Sequence, residues 1–386
     1  MSLFLNRRRF SAGLAIAPLS ATGLLSGCNR IPDVVKVGVA QPLTGPIHDL
    51  GQDLLNGVQM AVAELNAANY AIDGKRVTLE IVSADDKSDA ATGKVVAQQL
   101  VDAGVVAVIG HLNSGVSIEA APVYGAQGIA QLAISTNPRF TELGLPTTFR
   151  MVANDNLQAR AMGAFAAQNF GEVAYAGLDD GTPYGKGLTE GASEQLQAAK
   201  RQVVLRQSLD GETVAFDALA AKLKAERVEV VVSTLNDFQV VALIEALRKI
   251  GHTDVRMLGG DTLKTTGLLK SYGQIRGIFA TSPILEAKEF LPGRAFLKKY
   301  MDAFKIAPAY GAHYTYDSMH ILADAMKAAK SVQPRDITAA LRQMSGFAPV
   351  TGSMRWDERG EQRYAAVGVY ELGRGGWDLR IRSDVW

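Results

Sequence analysis

Apolar residues along this chain follow two alternating rhythms. In VVKVGVA, Val35, Val37 and Val39 recur at every second position, the period of a strand. Leu54, Val58, Ala61 and Leu65 then recur at three- and four-residue intervals, which is one face of a helix. The cycle repeats: RVTLEIVS reads as a strand, ATGKVVAQQLVDAG as a helix, VVAVIG and IAQLAIST as further strands. Around Phe149 to Asp155 the pattern restarts, with DNLQARAMGAFAAQNF as a helix and EVAYAGL, QVVLRQSL, VEVVVST and VRMLGGD as strands between helices. Strands separated by helices predict parallel sheets covered on both faces. Two such units in one chain predict an α/β protein of two lobes with a cleft between them.

Six strand ends share a character: Gln41 to Gly45, Gly110 to Gly115, Ser135 to Pro138, Asp179 to Gly185, Ser233 to Asp237, and Gly259 to Asp261. Gly, Pro, Asn, Asp and Ser are what turns need, so each stretch alone reads as a turn. Ligands of parallel α/β sheets sit beyond the carboxyl ends of the strands, and that is where these six loops fall. In VIGHLNSGVS the apolar run stops at Gly110 and gives way to Asn113, Ser114 and Ser117, a stretch suited to feed a helix whose first N–H groups attract an anion. Pro122 sits awkwardly in a helix that begins as early as Ser114.

Composition adds exclusions. The 386 residues are 47% hydrophobic and 20% charged, and 40 Lys and Arg against 39 Asp and Glu leave a net charge of +1, so no global field favours nucleic acid. Local charge matters more at the N-terminus. Arg7, Arg8 and Arg9 precede SAGLAIAPLSATGLL, which ends in Leu25-Ser26-Gly27-Cys28. A basic start and a short apolar middle containing Pro18 predict an export signal over 1–27 rather than a membrane-spanning helix. Cys28 is the only cysteine, and a lone thiol is a liability in an oxidising compartment. Its setting resembles the lipobox of bacterial lipoproteins, which implies lipidation at Cys28 and a tether over 28–33. The arginine run also partly resembles a twin-arginine signal.

Catalytic signatures fail in turn. His48, His111, His252, His313 and His320 include no pair at zinc-site spacing. Gly181 to Gly187 is one residue short of a phosphate loop and lacks its hydroxyl, so it reads as a turn entering a helix. Ser114 lacks the G-x-S-x-G frame, and His111 reads as a packing residue rather than its base. Asp85-Asp86 and Asp179-Asp180 read as solvated turns. No catalytic constellation, cofactor or metal site is expected.

From Val34 onward the chain resembles the periplasmic leucine/isoleucine/valine-binding proteins, the receptors of branched-chain amino-acid ABC transporters. The resemblance is carried by VGVAQPLTGPIHDLGQDLLNGVQMAVAELN, VIGHLNSGVS, ISTNPRFTELG, DDGTPYGKGL and TGSMRWDERGEQ, in that order. It implies two Rossmann-like lobes with parallel sheets joined by a three-crossover hinge, the type I periplasmic binding fold. The first lobe would comprise 34–152 with 283–357, and the second 153–282 with 358–386. It also implies that Ser114, Ser135 and Thr136 hold a ligand's α-carboxylate, that Asp261 meets its ammonium, and that Tyr184 touches it. Asp261 as a mere helix cap before Leu263 is the competing reading. The family's second aromatic contact falls near Asn236 and its apolar-pocket tyrosine near Leu50, so the side-chain pocket departs from the pattern. A disulfide of some members would need cysteines near Ser88 and Asn113, which this chain lacks. The implied protein is a monomeric, lipid-anchored periplasmic receptor that delivers an amino acid to an ABC permease. A receptor for amides, urea or aromatic acids, or a sensor without a transport role, are the alternatives.

Overall fold

The computed structural model describes residues 31–385, so the export signal and Cys28 lie outside the described residues. The chain opens with β1 (Val34–Gln41), α1 (His48–Ala67), the short hairpin β2 (Ala71–Ile72) and β3 (Lys75–Arg76), β4 (Thr78–Asp85), α2 (Ala90–Asp102) and β5 (Ala107–Gly110). It continues through α3 (Ser114–Gln127), β6 (Ala130–Ala133), α4 (Arg139–Glu142) and β7 (Thr148–Arg150). Here the strands pair in the order β4-β1-β5-β6-β7, all parallel.

The second sheet is built from β8 (Ala174–Asp179), β9 (Gln202–Ser208), β10 (Val228–Ser233), β11 (Arg256–Gly259) and β12 (Gly277–Ser282). Between and before these strands lie α5 (Asp155–Asn169), α6 (Pro183–Ala198), α7 (Asp217–Ala225) and α8 (Asp237–Lys249). The chain then supplies α9 (Gly293–Phe304), α10 (Ala312–Ala329), α11 (Pro334–Gln343) and a hairpin of β13 (Ser345–Ala348) and β14 (Gly352–Arg355). These pack into the core of the first sheet, where Phe296, Tyr300, Leu322 and Trp356 join Val35, Val37 and Val39. Finally β15 (Gly368–Gly373) and β16 (Gly376–Arg382) return to the second sheet, whose order is β16-β15-β12-β11-β10-β8-β9.

The chain therefore passes between the sheets three times, after Arg150, after Ser282, and between Arg355 and Gly368. Two features depart from the reading of periodicity. The edge of the second sheet is antiparallel, because β15 and β16 form a tight hairpin around Arg374 and Gly375 and β15 runs against β12. Helix α3 does begin at Ser114 and carries Pro122 in its interior, ending on Gly128 in a left-handed cap (φ +72°).

The adjacent acids need a correction as well. Asp86, Asp179 and Asp180 are buried rather than solvated. Asp86 accepts from the N–H of Ser88 (3.0 Å) and faces His111, Asp179 accepts from Gly181 N–H (2.9 Å) and the Ser208 hydroxyl (2.9 Å), and Asp180 from Thr182. Local N–H donors tie these acids into their own turns, which is what lets them leave water.

Candidate functional site

The first wall of the cleft is the start of α3 with the loop after β6. Ser114 is buried, and its Oγ accepts from the backbone N–H groups of Thr136 (3.3 Å) and Asn137 (3.2 Å). With both N–H groups aimed at the oxygen, its own hydrogen is left to donate. The loop itself is clamped from behind by Arg150, which is fully buried. The guanidinium donates to the carbonyl oxygens of Ser135 and of Asn137 (2.9 Å) and pairs with Glu361 through contacts of 3.0 and 3.1 Å. The Ser135 hydroxyl is buried and has no partner in the structure.

The second wall centres on Asp261, which closes β11. Its Oδ1 accepts from the Tyr184 hydroxyl (2.9 Å) and from Gln158 Nε2 (3.3 Å), and its Oδ2 accepts from the Tyr310 hydroxyl (2.5 Å). The short helical turn it begins is capped by Gly260, so the carboxylate serves these side chains rather than a cap. Tyr184 is held by α6, whose start is fixed by Pro183 in the first turn and by Thr182, whose hydroxyl accepts from Gly185 N–H (3.0 Å). Burial, together with the neighbouring Asp261 charge, pushes both the Tyr184 and Tyr310 hydroxyls well above the usual tyrosine range, so both act as donors.

Tyr310 comes from the opposite side of the cleft. It sits in the loop before α10, which Asp53 of α1 holds by accepting four consecutive N–H groups, Ala309 to Ala312 (2.8 to 3.0 Å), and the Tyr300 hydroxyl (2.7 Å). The two walls also meet at the rim. Asn137 Nδ2 donates to the Pro183 carbonyl oxygen at 2.7 Å, and Gly115 of α3 lies against the Pro183 ring.

Asp155 lies between the walls, and the periodicity gave no reason to single it out. It opens α5, its N–H donates to the Thr136 carbonyl oxygen (2.8 Å), and it is buried. Neither carboxylate oxygen completes a hydrogen bond, although the Thr136 hydroxyl lies near enough to favour the charged form. Burial, reinforced by the Asp261 charge, pushes the carboxyl up to about 7 against the pull of that hydroxyl and of Arg150. An acid at the first position of a helix reads as favourable placement in the helix dipole, which hid its role here. Tyr310 and Gln158 were also missed: Tyr310 lies in the helix-to-helix loop between α9 and α10, outside the six strand ends that the alternation marks.

The remaining candidates separate. Leu50 is buried in the first turn of α1 and lines a rim cavity of about 280 Å³ with Asp237, Thr262 and Thr265 of the other lobe. Asn236 is half-buried and caps α8, its N–H donating to Gln239 Oε1 (3.1 Å). His111 does not serve Ser114: Nδ1 pairs with Asp86 (2.7 Å) and Nε2 with the Tyr124 hydroxyl (3.2 Å), all buried. No group of three potential metal ligands occurs among the described residues.

A hydroxyl-lined helix start with two buried acids beside and opposite it, in a cleft between the two sheets, is a place to hold a small bipolar molecule. The sequence profile described as periplasmic binding protein matches residues 34–376. The chain belongs to the periplasmic binding protein family. Over 372 residues, 96% of this chain and 97% of the relative, the binding protein is 30% identical to Leu/Ile/Val-binding protein homolog 1 of Brucella abortus (strain 2308). Its fold is similar to that of a leucine-binding protein from Thermotoga maritima, with a TM-score of 0.82 at 23% identity over 91% of this chain and all of that one. A solute-binding protein of an ABC transporter from Rhodopseudomonas palustris BisB5, solved with 3,4-dihydroxybenzoic acid, is similar at a TM-score of 0.78 and 19% identity over 91% of this chain and 96% of that one. The family is one of solute-binding proteins, not enzymes.

Proposed function

We propose that this periplasmic binding protein is the receptor of an ABC importer, anchored through lipid on Cys28 after removal of 1–27, and that it carries a branched-chain amino acid to a permease in the periplasm as a monomer. The observation that carries this reading is the division of charge across the cleft. One wall offers the Ser114 and Thr136 hydroxyls, the unpartnered Ser135 hydroxyl and the first turn of α3; the other offers Asp261, and Asp155 lies between the two. A zwitterion matches both: its carboxylate meets hydroxyls and helix-start N–H groups, and its ammonium meets carboxylates. Two buried acids without a cation repel one another, and an ammonium group relieves that. Tyr184 closes over the ligand, while Leu50 and Asn236 border its side chain. The lobes, taken as 34–152 with 283–357 and 153–282 with 358–386, hinge together on it.

An aromatic acid is a second reading, favoured by the fold shared with the dihydroxybenzoate-bound protein. It ranks lower because such a ligand brings no cation to Asp155 and Asp261. An amide or urea ligand leaves the same charge unmet, and a sensor would use the same cleft without a permease.

Titration calorimetry with leucine, isoleucine, valine and a panel of amides and aromatic acids tests the assignment. Truncating one member of a buried charge pair costs about 2 to 5 kcal/mol, so Asp261→Ala should weaken amino-acid binding by roughly thirty- to several thousandfold. Asp261→Asn keeps the shape and should also bind poorly. Near-equal affinity of wild type and Asp261→Asn would reject the ammonium role and point to a neutral solute.

A further inference from the structure

A second cavity, of about 630 Å³, opens on the lobe of the larger sheet, away from the cleft. It lies at the carboxyl end of α5, whose first residue is Asp155. Fifteen residues of helix separate the two, roughly 20 Å along the axis. It also lies at the opposite strand ends from the cleft: Arg256 opens β11, whereas Asp261 follows the end of that strand.

Its floor is aromatic. Phe165, Phe170 and Phe279 pack with ring centroids 5.1 to 5.7 Å apart. Sheet register puts the polar groups on the same face: Leu258 pairs with Phe279, Arg256 is two residues before Leu258, and Phe279 pairs with Glu371. The position two before Phe279 is Gly277, and a Cβ there would come within 2.8 Å of the Phe279 ring. Glycine therefore leaves the space beside that ring open.

The charges in the lining are unequal. Arg380 Nε donates to Glu371 at 2.7 Å, so each neutralises the other. Arg256 lies 5.3 Å over the Phe170 ring and makes no hydrogen bond or ion pair with any described residue. Asp254 and Glu229 reach Arg256 only at longer range and both pair with Arg276, so this guanidinium stays without a direct ion pair above an aromatic floor. A zwitterion would find no partner for its ammonium, whereas a planar monoanion would find both a stacking surface and a forked donor. The volume is that of a typical small-molecule pocket.

We infer that this cavity is a second ligand site, distinct from the cleft, that takes an aromatic carboxylate, its ring on Phe170 and Phe279 and its carboxylate on Arg256. No covalent step is involved. Fluorine NMR titration of the full chain with 4-fluorobenzoate and 5-fluoroindole-3-acetate tests it, with Arg256→Gln and Gly277→Val as site variants and Asp261→Ala as the cleft control. Saturable binding is expected in wild type, and it should survive within about twofold in Asp261→Ala. In Arg256→Gln it should fall by roughly tenfold or more, because a charge-assisted pair is lost. Gly277→Val should block binding by filling the space, while amino-acid titration of the cleft reports that Arg256→Gln and Gly277→Val are folded and thermal unfolding reports the same for Asp261→Ala. Three results would overturn the site: no saturable binding by wild type, undiminished affinity in Arg256→Gln, or loss of binding in Asp261→Ala, which would put the aromatic acid in the cleft.

Discussion

Asp155 is held in a state that suits an occupied site better than an empty one. Its carboxyl is pushed up to about 7 in the folded chain, against 3.8 for the free side chain, so the folded protein keeps a proton that the unfolded chain gives up. Stability from this group is present below about pH 4 and is lost as pH rises toward 7. Asp155→Asn should therefore raise the melting temperature of the ligand-free protein at pH 8 and leave it nearly unchanged at pH 4. Thermal unfolding across that range checks this, and a lower melting temperature of the variant at pH 8 would contradict it. An ammonium ligand reverses the sign, because it favours the ionised acid. Affinity should then fall below pH 7, approaching tenfold per pH unit, with a proton released on binding. Calorimetry in two buffers of different ionisation enthalpy measures that proton.

At the same scale, legibility depended on whether a residue's role was local. Ser114, Thr136, Tyr184 and Asp261 fall at the strand ends that the alternation marks out, in the loop or the first turn that follows, where the family resemblance singled them out, and the structure places them around one cleft. Asp155 and Gln158 lie on a helix whose start looks like any other, and Tyr310 reaches Asp261 across the cleft from a segment 49 residues further along the chain. Nothing in periodicity reports a contact of that kind.

Elements were more legible than single residues, since the strands β1, β8 and β10 are rich in Val, Ala and Leu and are separated from one another by helix-period segments. The antiparallel hairpin β15 and β16 escaped because it follows the helix-rich segment α9 to α11 and belongs to the sheet that precedes that segment. Helix α3 makes the prediction at this level. A Cβ on Gly115 would stand 3.3 to 3.4 Å from the Pro183 ring of the other lobe, so alanine sits tightly and a branched chain collides. Gly115→Val should weaken ligand binding roughly tenfold or more without destabilising the empty protein, as replacing a helical glycine carries no propensity cost. Small-angle scattering with saturating ligand should show a larger radius of gyration than wild type; an equally compact liganded variant would mean that this contact does not limit closure.

For the molecule as a whole, the three passages between sheets explain why two repeats are visible in the sequence while the lobes themselves are not. Alternation reports what a segment is, not which sheet it joins, and α9 to α11 join the first core from beyond the second sheet. Membership of the periplasmic binding protein family fits an exported chain, and Cys28 sets the prediction. Cys28→Ser should move the protein from the membrane fraction to the soluble periplasmic fraction on cell fractionation. Unaltered membrane retention would dispose of the anchor.

Arg150 and Glu361, the pair that fixes the loop carrying Ser135 and Thr136, are 211 residues apart. During synthesis the arginine has left the ribosome long before its acid exists, and so has the segment that Trp356 later covers by donating to the Arg150 carbonyl oxygen (2.7 Å). The half of the molecule made first is thus still incomplete when nearly all of the chain exists. A buried arginine without its partner is costly, and closing so long a loop is slow, so the nascent chain stays short of a stable native lobe until nearly all of it has been made. For the export proposed above, that delay would keep the chain pliable during translation and allow it to lock only at the end.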